Sequence, residues 1–140
     1  MKILLAVDGS DYTKRMLAYL AANNELLGPD HDYTVFTAVT SIPAYATRFA
    51  GAQATTEHYE EQAQQVLAPI KAFVDQQGWK AQMRHAAGYA PDAIAAFANE
   101  HKPDLLVMGT HGETALSNLV LGSVVTGVLA RCKVPVLLIR

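Results

Sequence analysis

Leu105-Leu-Val-Met-Gly-Thr-His-Gly112, followed nine residues later by Gly122-Ser-Val-Val125, is the stretch on which the reading of this chain turns. Leu105 to Met108 is a continuous apolar run of the kind that is buried on both faces in a parallel sheet. It stops at Gly109, and a second glycine follows at Gly112. Beyond Gly122, residues Val124, Val125, Val128, Leu129 and Cys132 recur at helical spacing. The order is strand, glycine-bearing loop, helix, with Ser123 in the first helical turn. A glycine lets a backbone N–H approach a ligand with no Cβ in the way. A helix N-terminus adds unpaired N–H donors and the positive end of the peptide dipoles. Together these describe a phosphate site. For Gly109 alone a tight turn or close packing is the better reading; the four positions taken together favour a phosphate.

The spacing Gly109-x2-Gly112-x9-Gly122-Ser123 matches neither the dinucleotide fingerprint, which needs three glycines close together, nor the Walker A loop, which ends in Gly-Lys-Ser/Thr. With its strand before and helix after, it resembles the nucleotide-binding signature of the universal stress protein family. Ile3-Leu-Leu-Ala-Val-Asp-Gly-Ser10 is similar to that family's first strand and turn, and Val134-Pro-Val-Leu-Leu-Ile139 to its last strand. The resemblance covers the whole chain, as one domain over residues 1–140. It implies an adenine nucleotide alpha hydrolase-like fold with strand order 3-2-1-4-5, and ATP as ligand. It also implies a homodimer in which the C-terminal strands, Val136–Ile139, pair antiparallel across a two-fold axis. By the same resemblance Asp8 and Val39 match positions lining the adenine–ribose part of the pocket. Gly109, Gly112, Gly122, Ser123 and Val124 match the phosphate half.

The remaining sequence reads as alternating strands and helices. Residues 3–7 are an apolar run ended by Asp8-Gly9-Ser10-Asp11, a central strand and a turn in which Ser10 or Asp11 can cap the next helix. In that helix Met16, Leu17, Leu20 and Leu27 form the inward stripe, and Gly28-Pro29-Asp30 closes it. Residues 33–39 are β-branched and aromatic, a second strand. Residues 41–56 carry Pro43, Gly51 and many alanines and read as a long loop, with or without a helical piece, in which Arg48 is the one cation. Residues 57–77 are an amphipathic helix containing Pro69, which is expected to kink it or to leave an unmatched carbonyl one turn back. Residues 79–86 alternate, as a strand near a sheet edge does, and His85 there reads as a strand residue rather than a ligand. Pro91 and Asp92 open a helix over 92–100 with Ile94 and Phe97 facing the core. This order specifies an α/β fold: a single open, five-stranded parallel sheet with helices on both faces.

Composition narrows the function. The chain has 140 residues, 51% of them hydrophobic, and a net charge of −2 from 11 basic and 13 acidic side chains. That length suits one domain with a substantial core, and the charge gives no basic patch for nucleic acid. The single cysteine, Cys132, excludes an intramolecular disulfide and reads as a small buried hydrophobe. No segment has the apolar length to span a bilayer, and the N-terminal run is too short for a signal-peptide core. The expectation is a cytoplasmic protein.

In an open parallel sheet the ligand lies beyond the carboxyl ends of the strands, where the chain reverses its direction across the sheet. Here that crevice falls between Asp8 and Gly109. Asp8 can bind a ribose hydroxyl or approach a metal through water, or it can simply hold the turn with Ser10; the two readings weigh equally. Met108 adds an apolar contact. His111 reads as a loop side chain touching phosphate, whereas Glu113 would repel phosphate and is expected to point outward. No lysine stands within the loop, so a triphosphate needs N–H dipoles, Mg²⁺ held mainly by phosphate oxygens, or a remote cation such as Arg48. Phosphoryl transfer needs positive charge concentrated at the γ-phosphate, and none is evident. No catalytic residue is assigned, therefore, and no protein metal ligand. The leading reading is a small nucleotide-responsive regulatory module read by a protein partner; the alternative is a slow ATPase or autophosphorylating enzyme using the same pocket, assisted by His111 or Ser123.

Overall fold

The computed structural model describes residues 1–113, 118 and 120–140. Five strands, β1 (Lys2–Ala6), β2 (Asp32–Val39), β3 (Lys80–Ala87), β4 (Leu105–Gly109) and β5 (Val136–Ile139), form one sheet. Their order is β3-β2-β1-β4-β5, as the sequence reading expects. Every pairing is parallel, with Ile3 opposite both Tyr33 and Leu105, and Leu106 opposite Val136. After β1 the chain runs through helix α1 (Asp11–Ala22) and a single turn, α2 (Asn24–Leu27), to β2. Helices α3 (Ala44–Ala50) and α4 (Ala52–Gln76) join β2 to β3, α5 (Ala90–His101) joins β3 to β4, and α6 (Ser123–Arg131) precedes β5. Since β2 leaves β1 on one side and β4 flanks it on the other, the crevice between the ends of β1 and β4 is the switch point.

The pleat divides the strand residues between two cores. Ile3, Leu5, Val7, Val35, Val39 and Val107 pack with Met16, Leu17 and Leu20 of α1 and with Ala63, Leu67, Ile70 and Val74 of α4. Leu4, Ala6, Phe36, Leu106 and Met108 face the other way, onto Ile94 and Ala98 of α5 and Val125 and Val128 of α6. Helices thus cover both faces. Each fully buried leucine or isoleucine contributes on the order of 1.5–3 kcal/mol relative to an exposed one. The apolar runs of β1 and β4 are unbroken because helices bury both faces of these strands. β3 lies at the edge, with Ala81 and Met83 half-buried and Lys80, Gln82 and Arg84 exposed, as its alternation indicates.

Several local expectations are corrected. Of the expected loop only residues 41–43 lack helix; the rest is α3 and the first turn of α4, more helix than the single piece the sequence allowed, separated at Gly51, whose φ of 82° suits glycine. Alanines at positions 44, 46, 50, 52 and 54 supply helix propensity where no apolar stripe exists to reveal it. The first helix is not continuous to Leu27: it stops at Asn23, whose side-chain amide donates to Tyr19 O at 2.8 Å, and α2 then carries Leu27 into the core. Ser10 occupies the N-cap position of α1, yet its hydroxyl makes no capping bond. α4 begins at Ala52, five residues before the amphipathic pattern does, and carries Pro69 within it. Leu129, placed by periodicity on the inner stripe of α6, is 44% exposed.

Candidate functional site

At the switch point the end of β1 turns sharply, and Asp8 organises that turn. Its Oδ1 accepts the N–H of Ser10 at 2.9 Å, an Asx turn, and the hydroxyl of Thr13 at 3.0 Å. Thr13, buried in the first turns of α1, accepts the N–H of Asp8 at 3.2 Å in return. The other oxygen, Oδ2, accepts the N–H of Glu113 at 3.2 Å. One carboxylate therefore joins the end of β1, the start of α1 and the loop after β4. Of the two readings open for Asp8, the turn is realised; the carboxylate also faces the crevice beside it.

The glycines of the motif sit where a Cβ would not fit. A Cβ on Gly122 would lie 3.1 Å from His111 Cα and 3.2 Å from Thr110 O. The Gly122 N–H donates to that same carbonyl at 2.7 Å, which clamps the loop shut just before α6. A Cβ on Gly112 would fall 2.5 Å from Asp8 Oδ2. The first intrahelical bond of α6 runs from Thr126 N–H to Gly122 O. The amides of Ser123, Val124 and Val125 precede it and have no partner within the helix by its geometry. They are the phosphate donors this arrangement offers, with the helix dipole behind them. Gly122, by contrast, gives its N–H to the loop.

These pieces enclose a cavity of about 520 Å³, in the size range of small-ligand pockets. Asp8, Met108, Gly109, His111, Gly112, Gly122, Ser123 and Val124 all line it. Val39 does not: the pleat turns its side chain into the core beneath α1 and α4, and Ala38, one residue earlier, lines the cavity in its place. Glu113, expected to point outward, is on the wall as well. Thr13, Ala90 and Ile94 complete the apolar and hydroxyl lining; they come from α1 and α5, and no local motif marks them. His111 is held by Thr110 Oγ1 at 3.1 Å from its Nδ1 and by the ring of Tyr12, with centroids 5.1 Å apart. Arg15 lies over that Tyr12 ring at 4.9 Å, and Arg48 is in the last turn of α3. Neither is on the cavity wall.

The model of the universal stress protein family matches residues 1–140. The chain belongs to the universal stress protein family. A universal stress protein of Thermus aquaticus is 35% identical over 138 residues, covering 99% of this chain and 97% of its own. One of Synechocystis sp. is 29% identical over 140 residues, and there this universal stress protein spans only 42% of the relative's length. Among solved structures, the universal stress protein UspA of Lactobacillus plantarum superposes with a TM-score of 0.79 at 19% identity, covering 100% of this chain and 97% of that one. A universal stress protein in complex with cAMP gives 0.66 at 24% identity, over 100% and 96% of the two chains. A family member of Arabidopsis thaliana with AMP bound gives 0.70 at 16% identity, over 99% and 90%. The shared fold is the adenine nucleotide alpha hydrolase-like one.

Proposed function

We propose that this universal stress protein is an adenine-nucleotide-binding regulatory module of a stress response, acting in the cytoplasm as a homodimer whose bound state is read by a protein partner. The observation that carries the reading is the cavity at the switch point, where the amides opening α6 converge with Asp8 on an apolar wall that includes Met108 and Ile94. Relatives crystallised with cAMP and with AMP support it. ATP fits this reading when Mg²⁺ accompanies it. Among the described residues no group of three or more His, Cys, Asp or Glu side chains is placed to hold a metal, so such an ion would be held mainly by phosphate oxygens. For the dimer, β5 is the last strand of the sheet and pairs only with β4 within the chain, leaving its outer edge open.

The test is denaturation of freshly purified protein and chromatography of the released small molecules, together with thermal stability measured with and without Mg-ATP. Recovery of adenine nucleotide near one per chain, or a clear rise in melting temperature, supports the reading; an empty protein indifferent to nucleotide refutes it. Gly122→Val places side-chain atoms against the backbone of Thr110 and His111 and is expected to abolish binding. Retention of full affinity would mean that the phosphate site is elsewhere. One observation favours the enzymatic alternative: His111 is fixed on the cavity wall by Tyr12 and Thr110. Slow ATP turnover that disappears in His111→Ala would establish it.

A further inference from the structure

Two strands end the sheet, and the longer is β3, with eight residues against four for β5. The N–H of Gly88, just beyond β3, donates inward to Val39 O of β2 at 2.9 Å; that of Trp79, just before it, donates to Val74 O of α4 at 3.0 Å. Backbone groups alternate in direction along a strand, so the N–H and C=O groups of Ala81, Met83, His85 and Ala87 point away from β2. Among the described residues, no loop or helix end supplies them with a backbone partner. The two faces of this edge differ. Ala81 and Met83 pack, half-buried, against the core beneath α4. Lys80, Gln82 and Arg84 are exposed on the opposite face, beside a groove of about 630 Å³ that Lys80 and Gln82 share with Phe97 and His101 of α5. β3 carries no Asp or Glu, in a chain whose net charge is −2. Asp32, opposite Lys80 on β2, is not in ion-pair contact with it. Arg84 stands opposite Phe36, and its guanidinium donates to Gln82 Oε1 at 3.2 Å.

We propose that the β3 edge is a docking site for an extended acidic segment of a partner protein, which adds to the sheet as a further strand beside β3. Such a strand takes up the outward N–H and C=O groups, and its alternate side chains fall on the two faces of the sheet. Those on the Lys80 and Arg84 face are carboxylates; those beside Ala81 and Met83 are apolar. Lys80 and Arg84 are separated by about 13 Å at about 3.3 Å per residue, so carboxylates at alternate positions of the added strand meet both. The same charges disfavour a second copy of this chain on the edge. Two β3 edges paired about a two-fold axis would bring the Lys80 and Arg84 of both copies together on one face, and like charges opposite one another destabilise a strand pair. Basic side chains thus guard the edge against itself while attracting an acidic strand. The proposal is independent of what the switch-point cavity holds.

The experiment uses the full chain and two capped hexapeptides, one alternating glutamate with valine and one alternating lysine with valine. Affinity is read by fluorescence anisotropy and amide hydrogen exchange by NMR, both in low-salt buffer. The acidic peptide is expected to bind at least tenfold more tightly than the lysine peptide. It is also expected to slow exchange at Met83, His85 and Ala87 at least tenfold, with the β5 amides unchanged. Arg84 is exposed, so its substitution leaves folding intact: Arg84→Gln is expected to weaken the acidic peptide at least threefold, and Arg84→Glu to reverse the preference between the two peptides. An acidic peptide that does not bind, or binds no better than the lysine one, overturns the proposal. Binding that protects β5 and leaves the β3 amides exchanging as before also overturns it. So does protection of the β3 amides that grows with protein concentration in the absence of peptide, which would put a second copy of this chain on the edge.

Discussion

Replacing Thr13 with valine tests the junction on which the site is built. The side chain is 4% exposed, and its hydroxyl both donates to Asp8 Oδ1 at 3.0 Å and accepts from the Asp8 N–H at 3.2 Å. Valine has nearly the same shape, so no cavity is created, and the substitution removes both bonds at once. A hydrogen bond to a charged group contributes about 1.5–3 kcal/mol and a neutral one about 0.5–1.5 kcal/mol. The new methyl regains about 0.8 kcal/mol of apolar burial. The partial exposure of Asp8 lets water replace part of what is lost. The net expectation is a destabilisation of about 2 kcal/mol, with Thr13→Ser retaining most of the wild-type value. Urea denaturation at neutral pH measures it, and a cycle with Asp8→Ala isolates the pair, with a coupling of about 1–2 kcal/mol expected. If Thr13→Val lies within about 0.5 kcal/mol of wild type, the range of unremarkable substitutions, or if the two changes are additive, Asp8 is not the clamp described here.

Tyr33 supplies a second expectation, in pH. Burial pushes its phenol up to about 12 from an ordinary value of 10.0, and it donates to the carbonyls of Leu27 and Gly28. The folded state keeps the proton that the unfolded chain gives up, so this contribution is complete below pH 10 and is lost as pH rises towards 12, at about 1.4 kcal/mol per unit. In denaturation series from pH 8 to 12, Tyr33→Phe should be less stable at neutral pH and decline less steeply above pH 10; parallel curves would refute the assignment. Pro69→Ala restores an N–H inside α4 at an exposed position and should stabilise by about 1–3 kcal/mol; a loss of stability would show that Pro69 shapes the helix usefully. If the proposed dimer forms through β5, Val136→Lys, which places a charge on the edge strand where Val136 packs partly against the second core, should shift sedimentation velocity from dimer to monomer at some cost in stability; a persistent dimer would place the interface elsewhere.

The sheet was legible because its signal is local and chemical. The runs at Ile3–Val7 and Leu105–Met108 are apolar without alternation, the pattern of a strand buried on both faces. The weaker alternation at Ala81 and Met83 marked the edge for the same reason. The cavity was legible where close packing leaves no room for a side chain, at Gly112 and Gly122. It was not legible where the contribution is tertiary: Thr13 and Ile94 reach the cavity only because α1 and α5 flank the same strand ends. Val39 and Ala38 show the limit at its sharpest. Both stand at the end of β2, and the pleat alone decides which one faces the crevice. Residues 41–56 misled because proline and glycine were read as loop signals, although Pro43 precedes a helix and Gly51 separates two. With Tyr45 and Phe49 exposed at 70% and 92%, no inward stripe existed there to find.

α4 is longer than the sheet it covers. Its 25 residues span about 38 Å at 1.5 Å per residue, against about 27 Å for the eight-residue strands β2 and β3. Its buried positions begin only at Ala63. The first three turns, with α3 before them, hold none of the core's fully buried side chains. Apart from Tyr59, which packs against the core and accepts the Ile42 N–H at 2.9 Å, substitutions in this segment leave the fully buried side chains untouched. It is a segment in which one ancestral sheet can acquire divergent outer surfaces, and in which an experimenter can graft a label or an epitope while the sheet below folds as before.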